Sequence, residues 1–142
     1  MELKFSIQTR IDKPVDGVFR AVADENEICK YFTNKTSGPL AEGQTIIWHW
    51  SSYGDHPVTV KRLIPNEKIV LEWKANRDDS YNTEVILSFE PIDEKSTLLK
   101  ISESGWKENQ KGLDSSYDNC SGWQHMASAL KMYLQHGIDL RN

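Results

Sequence analysis

The hydrophobic period of the chain changes to a long helical one after Gly105, and that change dictates the architecture. Before it, apart from a short stretch after Pro14, apolar residues recur mainly at every second position in short runs. After it, Cys120, Trp123, Ala127, Leu130 and Leu134 recur at steps of three and four, which puts them on one stripe of a helix. Met126 and Tyr133 flank the stripe. Asp114 or Ser115 is the expected cap, with Ser115 and Asp118 forming a weak capping box. Gly137 is the expected terminator. A helix of about 20 residues would be roughly 30 Å long, enough to cross a sheet. A lone long helix at the end of a series of strands has one large apolar surface on which to bury its stripe, and that surface is the sheet.

The strands read from their alternation. Leu3, Phe5, Ile7, Thr9 and Ile11 face one way and their neighbours the other, the pattern of a strand with one buried face. Asp12 is the expected cap of a short helix from about Pro14 to Ala23, carrying Val15, Val18, Phe19 and Val22 at helical spacing. Asp24 is the expected cap of a second short helix reaching about Lys30, followed by Tyr31 and Phe32 as an apolar anchor. Turn residues then separate strands expected at Thr45 to Trp50, Pro57 to Ile64, Lys68 to Lys74, Thr83 to Phe89 and Ser96 to Glu103, an antiparallel meander. The reading is α+β: a helix-grip fold, with a curved antiparallel sheet of about six or seven strands, two short N-terminal helices and one long C-terminal helix packed over the sheet. A single domain over residues 1–142 fits this length.

Charge and cysteine content narrow the function. The net charge is −4 and no basic run occurs, which argues against nucleic acid as the main partner. Cys29 and Cys120 form no CxxC pair, so no disulfide framework is expected, and a reducing, cytoplasmic setting is the simpler reading. The first residues lack the apolar core of a signal peptide. No apolar run approaches the ~18 residues of a membrane span.

The element order, together with local motifs, resembles the START-like (SRPBCC, helix-grip) superfamily. It is most similar there to the family of the C-terminal domain of the activator of heat-shock protein 90 ATPase. The motifs are Ile11-Asp12-Lys13-Pro14-Val15 leading into Val18-Phe19-Arg20-Ala21, then Tyr31-Phe32-Thr33, with Tyr where the family often has Trp. The run from Val58 to Trp73 matches a strand, a turn centred on Pro65, and a strand ending in Trp. Gly122-Trp123 with Leu130 and Tyr133-Leu134 complete the set. The resemblance implies the fold and a cavity between sheet and C-terminal helix. It implies no single activity, because the superfamily includes lipid carriers, cyclases, hormone receptors and co-chaperones.

The residues themselves offer no catalytic set. His49, His56, His125 and His136 are scattered, without metal-ligand spacing, and no GxSxG elbow or phosphate loop occurs. No catalytic residue, metal or cofactor is therefore assigned. The aromatic strands are more informative. Ile46, Trp48 and Trp50 share a face, as do Ile69, Leu71 and Trp73, and Val85, Leu87 and Phe89. These rings either fill a solid core or wall a cavity. Arg62 shares parity with Val58 and Val60, and Glu103 with Leu99 and Ile101. A buried charge needs a partner, a ligand or solvent. Alternatively the strand ends reach water, or a bulge flips the parity. Gly122 inside the helix implies a close approach, room for a ligand, or a later helix start.

The expected ligand-binding set is Trp48, Trp50, Arg62, Trp73, Leu87, Trp123, Met126, Leu130 and Tyr133. The expected function is binding of a small hydrophobic or amphipathic molecule. The alternative is a protein-interaction module with a chaperone as partner.

Overall fold

The computed structural model describes residues 1–142. Seven antiparallel strands form one sheet: β1 (Leu3–Ile11), β2 (Lys35–Thr36), β3 (Thr45–Trp50), β4 (Gly54–Ile64), β5 (Lys68–Lys74), β6 (Asn82–Asp93) and β7 (Ser96–Trp106). Two short helices, α1 (Val15–Ala23) and α2 (Glu25–Ile28), follow β1, and the long helix α3 (Gln110–His136) ends the fold. The strand order is β1-β7-β6-β5-β4-β3-β2. Strands β2 to β7 are neighbours in sequence and in space, as a meander requires. Only β1 pairs at a distance, with Phe5 opposite Glu103 and Ile11 opposite Thr97.

β1 alternates as its sequence demands, with Lys4, Ser6, Gln8 and Arg10 exposed and Ile11 fully buried. Pro14, not Asp12, occupies the cap position of α1. Asp12 instead accepts a hydrogen bond from Arg10, and its backbone N–H donates to Gln135 on α3. Asp24 does cap α2, accepting from the N–H groups of Asn26 and Glu27. That helix is one turn, ending at Ile28 rather than near Lys30. Tyr31 then enters the core and donates its hydroxyl to the carbonyl of Ala21 at 2.8 Å.

Helix α3 begins earlier than its apolar stripe. Its cap is Asn109, not Asp114 or Ser115, and Asn109 accepts from the N–H of Gly112 at 2.8 Å. The 27 residues span about 40 Å. Gly137 closes the helix at φ 66°, in the left-handed region that favours glycine.

One bulge matters for the site. The β4–β5 ladder shifts between Val60 and Arg62, leaving Lys61 as an extra residue. Arg62 therefore pairs with Val70, while Leu63 takes the inner position opposite Ile69. Of the alternatives for Arg62 the bulge is the one observed: it reverses parity beyond Val60 and leaves Arg62 exposed, which corrects the placing of Arg62 in the expected ligand-binding set.

The core lies between the inner face of the sheet, α1 and α3. Leu87, Met126 and Leu130 are fully buried in it. The middle of the helix thus meshes with the sheet.

Candidate functional site

Close packing gives way at one end of the helix–sheet interface. There the first half of α3, the β3–β4 hairpin and the β5–β6 end of the sheet surround a half-open groove of about 1310 Å³. Its apolar wall is Phe32, Trp50, Trp73 and Trp123. The rings form one continuous cluster: Phe32 to Trp50 at 5.1 Å, Phe32 to Trp123 at 5.8 Å and Trp73 to Trp123 at 5.5 Å between centroids. Trp48 is 1% exposed and backs this wall, edge-on to both Trp50 and Trp73. Offset and edge-to-face contacts of this kind fix ring orientation beyond simple area burial.

The remaining lining is mostly polar. Asn119, Gly122 and His125 face the groove from α3, and Tyr53 and His56 from the β3–β4 hairpin. A Cβ on Gly122 would meet nothing within 4 Å, so this glycine leaves room and serves no close approach. Arg77 donates to the carbonyl of Tyr53, joining two rims. Arg141 closes a third side. It pairs with Asp139 at 2.9 Å and donates to the carbonyls of Cys29 and Thr33. Burial and the nearby Arg77 guanidinium hold the His56 imidazole below its ordinary pKa, against weaker opposing effects.

Behind the wall lies Glu103, 1% exposed and the one charged residue in the buried set. Its Oε1 accepts from the indole N–H of Trp123 at 3.0 Å, and its Oε2 from that of Trp73 at 3.1 Å. Thr83 donates to Oε2 at 2.6 Å. The Asn119 amide bridges both oxygens at 3.2 and 3.0 Å. Every donor is neutral, and no Lys, Arg or His forms an ion pair with Glu103. Burial raises its pKa, and the four donors pull it partly back.

The structure separates the residues expected to form the site. Trp50, Trp73 and Trp123 line the groove together. Trp48 supports them from behind. Leu87, Met126 and Leu130 belong to the packed core and do not line the groove, because the middle of α3 leaves no space above them. Tyr133 lies farther along α3, where its ring stacks on Tyr31 at 5.4 Å and its hydroxyl donates to Glu27 at 2.7 Å. Burial and the Glu27 carboxylate push its pKa up to about 12. Arg62 lies outside. Asn119, His56 and Phe32 were not in the expected set. No group of three or more His, Cys, Asp or Glu is placed to hold a metal ion, and no helix is long and apolar enough to cross a membrane.

Comparison with known proteins places the fold. Protein SSP2350 of Staphylococcus saprophyticus superposes with a TM-score of 0.79 at 23% identity, over 99% of this chain and 96% of that one. The Aha1 dimer of Colwellia psychrerythraea gives 0.78 at 23% identity, over 94% and 97%. CalU16 of Micromonospora echinospora gives 0.73 at 22% identity, over 97% and 78%. No curated protein is significantly similar in sequence. The family described as "Activator of Hsp90 ATPase homolog 1-like protein" matches residues 12–135. That match runs from the residue after β1 to the last turn of α3 and takes in the whole groove wall and Glu103, so the chain belongs to the Activator of Hsp90 ATPase homolog 1-like family.

Proposed function

We propose that the groove binds a small amphipathic molecule, with its apolar body against the indole wall and its polar end toward Asn119 and the rim. The observation that carries this reading is the ring cluster of Phe32, Trp50 and Trp73, half-buried and open to solvent on one side, with the buried Trp123 behind it. Open aromatic surface of this kind is withdrawn from water by an apolar ligand. The volume exceeds what one drug-sized molecule needs, roughly 300–1000 Å³. Both cysteines are free thiols, which supports a reducing, cytoplasmic setting.

Titration with 1-octanol, followed by tryptophan fluorescence and calorimetry, tests the reading. One-to-one binding with altered indole emission is expected, weakened by Trp50→Phe and by Trp73→Phe. An affinity unchanged in both variants would remove the groove as the binding site.

The family description favours a second reading, contact with the heat-shock protein 90 ATPase. The purified chain would then raise the ATPase rate of that chaperone, and an unchanged rate with no co-purification would remove it.

A further inference from the structure

We propose that the groove selects an organic cation, a protonated amine on an apolar body, whose ammonium group replaces the Asn119 amide against the Glu103 carboxylate. The proposal rests on the groove being a ligand site and adds the charge of its ligand.

The first ground is an unbalanced charge. Glu103 is 1% exposed, and no cationic side chain reaches it. Buried carboxylates ordinarily have a cation or a metal beside them. Here four neutral donors hold the carboxylate, and they supply dipoles without cancelling its charge.

The second is access. Two of those donors, Trp73 and Thr83, come from the sheet, and Trp123 is 2% exposed on α3. Asn119 and Trp73 are the half-buried donors, and both line the groove, but of the two only Asn119 touches both carboxylate oxygens. Asn119 stands between groove and carboxylate. One N–H group bridging two carboxylate oxygens is also the position an ammonium would take. A turn of the Asn119 side chain about its own bonds exposes the carboxylate without moving the backbone.

The third is the wall. Trp73 and Trp123 donate their N–H groups to an anion, which leaves their ring faces richer in electron density. The half-buried Trp73 ring lines the groove and attracts a cation directly, with the buried Trp123 ring packed against it. The rim also carries Lys74, Arg77 and Arg141, opposed by Asp55 and Asp118. Arg141 is neutralised by Asp139, and Asp55 and Asp118 offset Lys74 and Arg77, so the inner wall and not the rim sets the preference.

The test compares octylamine, 1-octanol and octanoate at pH 7, below micelle-forming concentrations, by calorimetry. Octylamine is expected to bind about tenfold tighter than 1-octanol, a difference of about 1.4 kcal/mol, and octanoate weakest. In Glu103→Gln the octylamine to octanol ratio should fall to near one. Asn119→Lys provides an internal ammonium for Glu103 and should abolish the octylamine preference even if Glu103→Gln fails to fold. Equal binding of octylamine and octanol, tightest binding of octanoate, or a preference surviving Asn119→Lys would each overturn the proposal while leaving a ligand groove in place. Failure of all three probes to bind would overturn the groove reading and this proposal together.

Discussion

The indole nitrogens of Trp73 and Trp123 lie 3.1 and 3.0 Å from the two oxygens of one carboxylate, that of Glu103. One tryptophan belongs to the sheet and the other to the helix. Glu103 therefore ties the two layers at the edge of the groove, where apolar packing between them has ended.

Replacing Glu103 with Leu should be strongly destabilising, because two indole N–H groups, the Thr83 hydroxyl and the Asn119 amide lose their acceptor together. A loss of about 3 kcal/mol or more is expected. Trp73→Phe removes one donor and leaves the acceptor satisfied by three others, so it should cost about 1–2 kcal/mol. Urea midpoints at constant m measure both. Equal losses would mean that the cluster is not organised around Glu103.

The same carboxyl should make stability fall with rising pH. Its pKa is raised in the folded chain by burial, so the native state holds this proton more tightly than the unfolded state. Its contribution is full below the ordinary Glu value of about 4.3 and is lost as pH climbs through the folded value. Asp79, Asp93 and Asp139 are shifted the other way by hydrogen bonds, so their contributions are lost on acidification. Subtracting the Glu103→Gln profile isolates the Glu103 part. A difference curve flat from pH 4 upward, on the order of that Glu value, would sink this assignment.

Two glycines of α3 should respond in opposite directions to alanine. A Cβ on Gly112 would lie 2.0 Å from the carbonyl oxygen of Lys107, so Gly112→Ala must displace the backbone at the Asn109 cap. About 2 kcal/mol of stability should be lost. Gly122 faces open space, and Gly122→Ala should stabilise the helix by up to about 1 kcal/mol. Thermal melts of the two variants check the contrast.

Tyr133→Phe keeps the ring against Tyr31 and removes the hydroxyl that donates to Glu27. A loss of about 1 kcal/mol is expected, with 1-octanol affinity retained because Tyr133 lies outside the groove. A large affinity loss would show that the ligand reaches farther along α3.

Local pattern carried most of the architecture and less of the site. The alternation of β1, the Asp24 cap and the Gly137 stop are legible because each depends on neighbours a few residues away. The start of α3 was hidden, since the turns from Gln110 to Asn119 lack the apolar stripe that marks the rest. Parity left Glu103 either inward or at a wet strand end; it is inward, held by donors from β5, β6 and α3 that are far apart in sequence. Parity failed at Arg62, where nothing in Val60-Lys61-Arg62-Leu63 announces a bulge. Trp48 and Trp50 share a face, yet only Trp50, at the strand end, reaches the groove.

The pairing of β1 with β7 also sets the order in which the molecule can be completed. A ribosome releases Leu3, Phe5, Ile7 and Ile11 well before their ladder partners, which run from Thr97 to Trp106. Until β7 emerges, the nascent chain carries an oily ribbon with no native seat. That ribbon must wait for the last strand, and the sheet acquires this edge only once β7 has been made.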